Sequence, residues 1–82
     1  MRLAMVGELR RAIERNELSL FYQPKVDYST GEVTSVEALV RWQHPRYGLL
    51  GPDHFIPIAE QTGLIRPLAR WVLEAALRES NR

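Results

Sequence analysis

The sequence contains no cysteine, so neither a disulfide nor a thiolate metal site can staple it. This is compatible with a reducing compartment. No apolar run approaches the ~20 residues of a membrane span. The opening Met1–Gly7 is too short for a signal-peptide core before Glu8 and Arg10 intervene. Charge of either sign is not in surplus: 11 Lys and Arg against 10 Asp and Glu leave a net +1. That balance argues against a DNA or RNA polymer as partner and against direct contact with an anionic membrane. It leaves room for a single phosphate site. There is no P-loop, no Gly-rich dinucleotide turn, no Ser-centred nucleophile elbow and no internal repeat. A soluble, cytoplasmic segment is the expectation.

What is present is ordinary globular material, 45% hydrophobic and 26% charged over 82 residues. A chain this short buries only roughly 60–65% of its unfolded surface, so its core is marginal. Leu9, Ala12 and Ile13 have helical spacing and predict a leading helix from about Leu3 to Asn16. Leu18 to Asp27 reads as a strand, with Leu18, Leu20, Tyr22 and Val26 on one face and Phe21, Gln23 and Lys25 on the other. Pro24 makes it an edge strand or an interrupted one. Thr30-Gly31 marks a turn, and Glu32 to Trp42 reads as the second strand of an antiparallel hairpin.

Gln43 to Pro52, rich in Pro and Gly, is expected to be a loop. A short helix from about Asp53 to Gln61, kinked at Pro57, should follow. The last helix is expected from about Leu64 towards Ser80, with Ile65, Leu68, Ala69, Val72, Ala76 and Leu77 as its apolar stripe. The order is helix, strand, strand, helix, helix: an α+β arrangement. The final apolar stripe has no following strand to cover, so the sequence is read as part of a larger β/α fold.

The informative stretch is Glu37-Ala38-Leu39-Val40-Arg41-Trp42. Strand alternation sends Glu37, Leu39 and Arg41 to one face, with Glu37 and Arg41 about 13 Å apart. Val36, Ala38, Val40 and Trp42 form the other face and read as core. A carboxylate can hold a hard divalent cation through oxygen. A guanidinium can hold a phosphate by paired hydrogen bonds. Leu39 could pack on a sugar or base, and Gln23 could add an amide hydrogen bond. With a five-residue hairpin loop, Gln23 lies directly opposite Glu37. From spacing alone, a solvated strand face is the commoner explanation of such charges. A metal pair of His44 and His54, and Lys25 as a base, are weaker candidates. Trp42, Phe55 and Trp71 read as core aromatics rather than a stacking platform.

The run Leu20-Phe21-Tyr22-Gln23-Pro24-Lys25-Val26, the Thr30-Gly31 turn, and Val36 to Trp42 resemble, in that order, the opening of EAL domains. So do Gln43-His44-Pro45 with Gly48, Pro52 to Glu60, Gly63-Leu64-Ile65, and the helix carrying Trp71 and Val72. The resemblance covers nearly the whole chain from about Leu9. It implies a (β/α)8 TIM-like barrel with an antiparallel first strand, of which residues 1–82 are the N-terminal part. Such barrels take about 250 residues.

The resemblance also implies a function, the metal-dependent hydrolysis of cyclic di-GMP to pGpG with Mg2+ or Mn2+. Glu37 then corresponds to the metal-ligating glutamate, Arg41 to the phosphate-contacting arginine, and Gln23 and Leu39 to ligand-contacting positions. The downstream Asn, Glu and Asp metal ligands of the family, and its water-activating lysine, are not in this sequence. The isolated chain is therefore expected to be inactive. The alternatives are a non-catalytic cyclic di-GMP receptor, a protein-interaction EAL domain, and a unit that folds by associating with itself.

Overall fold

The computed structural model describes the chain from Arg2 to Ser80, and its side chains from Ala4 onward. Helix α1 (Arg2–Glu14) leads into a three-stranded antiparallel sheet of β1 (Leu18–Val26), β2 (Val33–His44) and β3 (Gly48–Leu50). A single 3-10 turn, Pro52–His54, precedes α2 (Ile56–Thr62) and α3 (Ile65–Ser80). The sheet order is β1-β2-β3, so β1 is an edge strand. That is where Pro24, which has no N–H to give to a ladder, does least harm.

The sheet has one strand more than expected. The segment expected to be a loop holds β3, which pairs with the end of β2 through Trp42–Leu50, Gln43–Leu49 and His44–Gly48. Gly48 makes the reversal possible by taking φ 79°. The expected kink at Pro57 is absent. Pro57 lies in the first turn of α2, where its missing N–H has no helical partner to lose, and the break falls before it at Phe55.

The core forms at one end of the hairpin. Leu9 and Ala12 of α1, Leu18, Trp42, Leu50, Phe55, Ala59, Leu64 and Leu68 make one buried cluster. Trp42 is its centre: the ring meets Phe55 edge-on at 5.9 Å and His44 at 4.9 Å. Its indole N–H donates to Glu17 Oε1 at 3.4 Å. Two expectations about this core need correction. Val36 and Ala38, expected to be buried with Val40 and Trp42, are exposed. Alternation assigns side chains to a face, but α1 and α3 cover only the end of that face nearest Trp42. On α3, Leu68 and Ala75 are buried and Ile65, Val72 and Ala76 partly so, whereas Ala69 and Leu77 are exposed. The stripe is therefore rotated slightly from the expected one.

The free half of the hairpin extends from this core, and the molecule is correspondingly long, 48 × 25 × 22 Å. Tyr22 on β1 is tied back to α3 by a hydrogen bond from its hydroxyl to the Glu79 carboxylate. The turn is closed by Asp27, whose Oδ1 accepts from the Ser29 N–H at 2.8 Å and from its hydroxyl at 2.6 Å. Among the described residues, no helix is long and apolar enough to cross a membrane.

Candidate functional site

The hairpin register places the predicted residues together on one face. Gln23 faces Glu37, Phe21 faces Leu39 and Ser19 faces Arg41. The Gln23–Glu37 pairing is the one a five-residue loop would give, though the connection here is a different one. Val26 pairs with Val33 and Lys25 with Ser35, so Asp27–Glu32 forms the connection and Thr34 is an extra, bulged residue. The longer connection and the bulge offset each other in register, and Gln23 still meets Glu37. The Thr34 hydroxyl donates to the Lys25 carbonyl across this bulge at 3.2 Å.

The face is graded along its length. Gln23 and Glu37 are exposed, while Leu39 and Arg41 are partly buried closer to the core. One guanidinium N–H of Arg41 donates to the Val40 carbonyl at 2.8 Å. This folds the side chain against its own strand and leaves further donors for a ligand. Ser19, across from Arg41, has a buried hydroxyl oxygen without a hydrogen-bond partner in the protein. Phe21 is 46% exposed, an aromatic surface on the same face as Glu37 and Arg41. Ser19 was missed in the sequence because a lone serine in a strand carries no signal until its register partner is known.

Lys25 also belongs to this face. Its ammonium lies 2.9 Å from Glu37 Oε1, with both side chains about half exposed. The donor set fits a hard divalent cation in kind: one carboxylate with a primary amide directly across the ladder. The lysine nitrogen shows that Oε1 is open to a cation. The set is incomplete in number, because no three His, Cys, Asp or Glu among the described residues cluster as a metal site.

The histidine pair is not a metal site. His44 is buried, and both ring nitrogens are engaged. Its Nδ1 accepts from the backbone N–H groups of Arg46 and Tyr47 at 3.0 and 3.1 Å. The ring proton therefore sits on Nε2, which donates to Glu8 Oε1 at 3.0 Å. That hydrogen bond, opposed by burial and helped by the positive charge of Arg46 and Arg11, holds the Glu8 carboxyl below its ordinary value. A cleft of about 430 Å3 opens beside this clamp, lined by Glu8, Arg11, Glu17, His44, Pro45 and Arg46. His54 is exposed and borders a different hollow with Met5, Tyr47 and Leu50.

The family model for the EAL domain matches residues 6–82. The chain is 49% identical over 77 residues to the bifunctional diguanylate cyclase/cyclic di-GMP phosphodiesterase MucR of Pseudomonas aeruginosa, covering 94% of this chain and 11% of that protein. It is 52% identical over 77 residues to the cyclic di-GMP phosphodiesterase NbdA of the same organism, covering 94% of this chain and 10% of NbdA. Among solved structures, the PaMucR phosphodiesterase in complex with c-di-GMP superposes with a TM-score of 0.87 at 48% identity, over 94% of this chain and 31% of that one. The FimX EAL domain from Pseudomonas aeruginosa bound to c-di-GMP gives 0.77 at 27% identity, over 89% and 30%. The chain thus spans about a tenth of these curated relatives and under a third of these solved chains. Its helix, antiparallel sheet and two helices match the N-terminal part of the EAL barrel. By sequence and by fold, this chain belongs to the EAL domain family.

Proposed function

We propose that residues 1–82 supply the first part of the ligand site of an EAL domain that hydrolyses cyclic di-GMP to linear pGpG. The observation that carries the reading is the shared face: Gln23 directly across from Glu37, with Leu39 and Arg41 following on the same side. The names and ligands of the relatives MucR and NbdA and of the PaMucR complex support it.

In this reading each side chain has one task. Arg41 binds a phosphate through the guanidinium N–H groups not given to Val40. Ligand charge and guanidinium then meet at a partly buried position, where water screens them less. Leu39, flanked by Phe21 across the ladder, offers an apolar seat for the nucleoside. Gln23 donates or accepts through its amide beside Glu37. Glu37 would hold Mg2+ or Mn2+, which when bound supplies an acidified water and neutralises charge on the phosphodiester. Hydrolysis breaks one P–O ester bond and leaves a 5′-phosphate and a free 3′-hydroxyl.

One carboxylate cannot complete a catalytic metal site, so the downstream strands of the barrel must bring the remaining ligands. The chain alone is accordingly inactive. A cysteine-free sequence accords with a cytoplasmic setting for this activity. A receptor that binds without hydrolysis would use the same face, and the retained Glu37 favours the enzyme.

The test is a pair of variants in the complete EAL domain that contains this chain. Arg41→Ala should weaken cyclic di-GMP binding about 10- to 100-fold, the worth of a charge-assisted hydrogen bond to phosphate. Glu37→Gln should abolish hydrolysis while cyclic di-GMP still binds in the absence of metal. Hydrolysis at the wild-type rate in Glu37→Gln would overturn the assignment.

A further inference from the structure

We infer that Lys25 is a tethered counter-cation for Glu37, which a divalent metal must displace, so that this lysine sets how tightly the site loads its metal. The inference rests on the proposed role of Glu37 and deepens it.

The geometry is specific. Lys25 does not face Glu37 across the ladder; its register partner is Ser35, and that of Glu37 is Gln23. The lysine reaches diagonally along the strand to put Nζ 2.9 Å from Oε1. Gln23 is uncharged and cannot neutralise the carboxylate it faces. Among the described residues, Lys25 is the cation in contact with Glu37. A divalent ion bound at Oε1 would sit about 2.0–2.6 Å from that oxygen. An ammonium on the same oxygen would then lie within a few ångströms of a doubly charged ion, where repulsion is strong. The two cations exclude one another.

Lysine is suited to the exchange. Its flexible four-carbon stem lets the ammonium leave without disturbing the strand, which arginine's planar fork does less readily. Both side chains are half exposed, so the pair is weakly held and readily replaced. The site thereby keeps its carboxylate oriented before metal arrives, at the cost of some metal affinity.

The test is a Mn2+ binding isotherm on the complete EAL domain containing this chain, read by the paramagnetic signal of free Mn2+, without nucleotide. Lys25→Met keeps the stem and removes the charge, and should tighten Mn2+ binding about 2- to 10-fold at low salt. The gain should shrink as salt rises and screens the lysine. Lys25→Arg should stay within about twofold of the parent. Unchanged or weaker Mn2+ binding in Lys25→Met overturns the inference. So does a loss of cyclic di-GMP affinity with Mn2+ affinity unaltered, which would make Lys25 a ligand contact instead. Glu37→Gln separates the two levels. Weakened Mn2+ binding there leaves the proposed function standing whatever Lys25 does, and intact binding overturns both readings.

Discussion

Replacing His44 tests how the core end of β2, the strand that carries the candidate site, is held. The imidazole is buried, caps the β2–β3 turn through Nδ1 and clasps α1 through Nε2. His44→Ala leaves two backbone N–H groups without their acceptor. Sealed from water, each would cost about 1–3 kcal/mol. Arg46 and Tyr47 are exposed residues, so water recovers part of that and about 1 kcal/mol each is the better figure. Lost packing against the Trp42 ring at 4.9 Å and the Tyr47 ring at 4.6 Å adds about 1–2 kcal/mol. The total is about 3–4 kcal/mol, a large part of the stability of a small domain.

Two conservative variants divide the roles. An asparagine oxygen can reach the place of Nδ1, and a glutamine nitrogen the place of Nε2. His44→Asn keeps the turn cap and loses the clasp on α1; His44→Gln does the reverse. Two backbone donors depend on Nδ1 and one side chain on Nε2, so His44→Gln should be the more destabilising. Urea denaturation of the complete domain, monitored by the fluorescence of Trp42 and Trp71, gives the order. If His44→Asn were as damaging as His44→Ala while His44→Gln behaved like the parent, the clasp rather than the cap would be the main role, and the reasoning would fail.

The Glu8 end of the clasp has its own pH signature. Its folded-state value is depressed, chiefly by the hydrogen bond from His44. Its stabilisation is therefore present above the unfolded glutamate value and is lost as pH falls through the lower folded value. Glu8→Gln should flatten that acid limb of the stability curve by lowering stability at neutral pH while leaving the low-pH end nearly unaffected, as urea midpoints at several pH values would show. The 82-residue chain by itself should produce no pGpG from cyclic di-GMP with Mn2+ present, and product that depends on Glu37 would refute this. In sedimentation, the same chain should gain mass with concentration, because Val26, Val33 and Val36 are exposed on an uncovered hairpin. A constant monomer mass would count against self-association.

The face proposed to carry the site was legible because strand alternation has a period of two and the hairpin is short. Gln23, Leu39, Glu37 and Arg41 could be grouped from spacing, and their family resemblance named the chemistry. Features that depend on distant chain were not legible. β3 is too short to show alternation inside a Pro- and Gly-rich stretch. The role of His44 becomes visible only when α1 brings Glu8 to it. The exposure of Val36 follows from where α1 and α3 stop, a fact of packing that an apolar pattern does not encode. The bulge at Thr34 escaped notice because an extra residue in a strand and a longer loop cancel in the register.

The placement of Gln23 across from Glu37 has a consequence for biosynthesis. The pairing is made between neighbours in the chain, closed by one short turn, and such hairpins form in about 1–10 μs. Translation is slower by orders of magnitude, at about 5–20 residues per second. The β1–β2 ladder with the candidate site can therefore form as soon as β2 has cleared the ribosome. A nascent chain would carry this half of the site as a ready template, with its valines bare, and the order of synthesis would set the order of assembly.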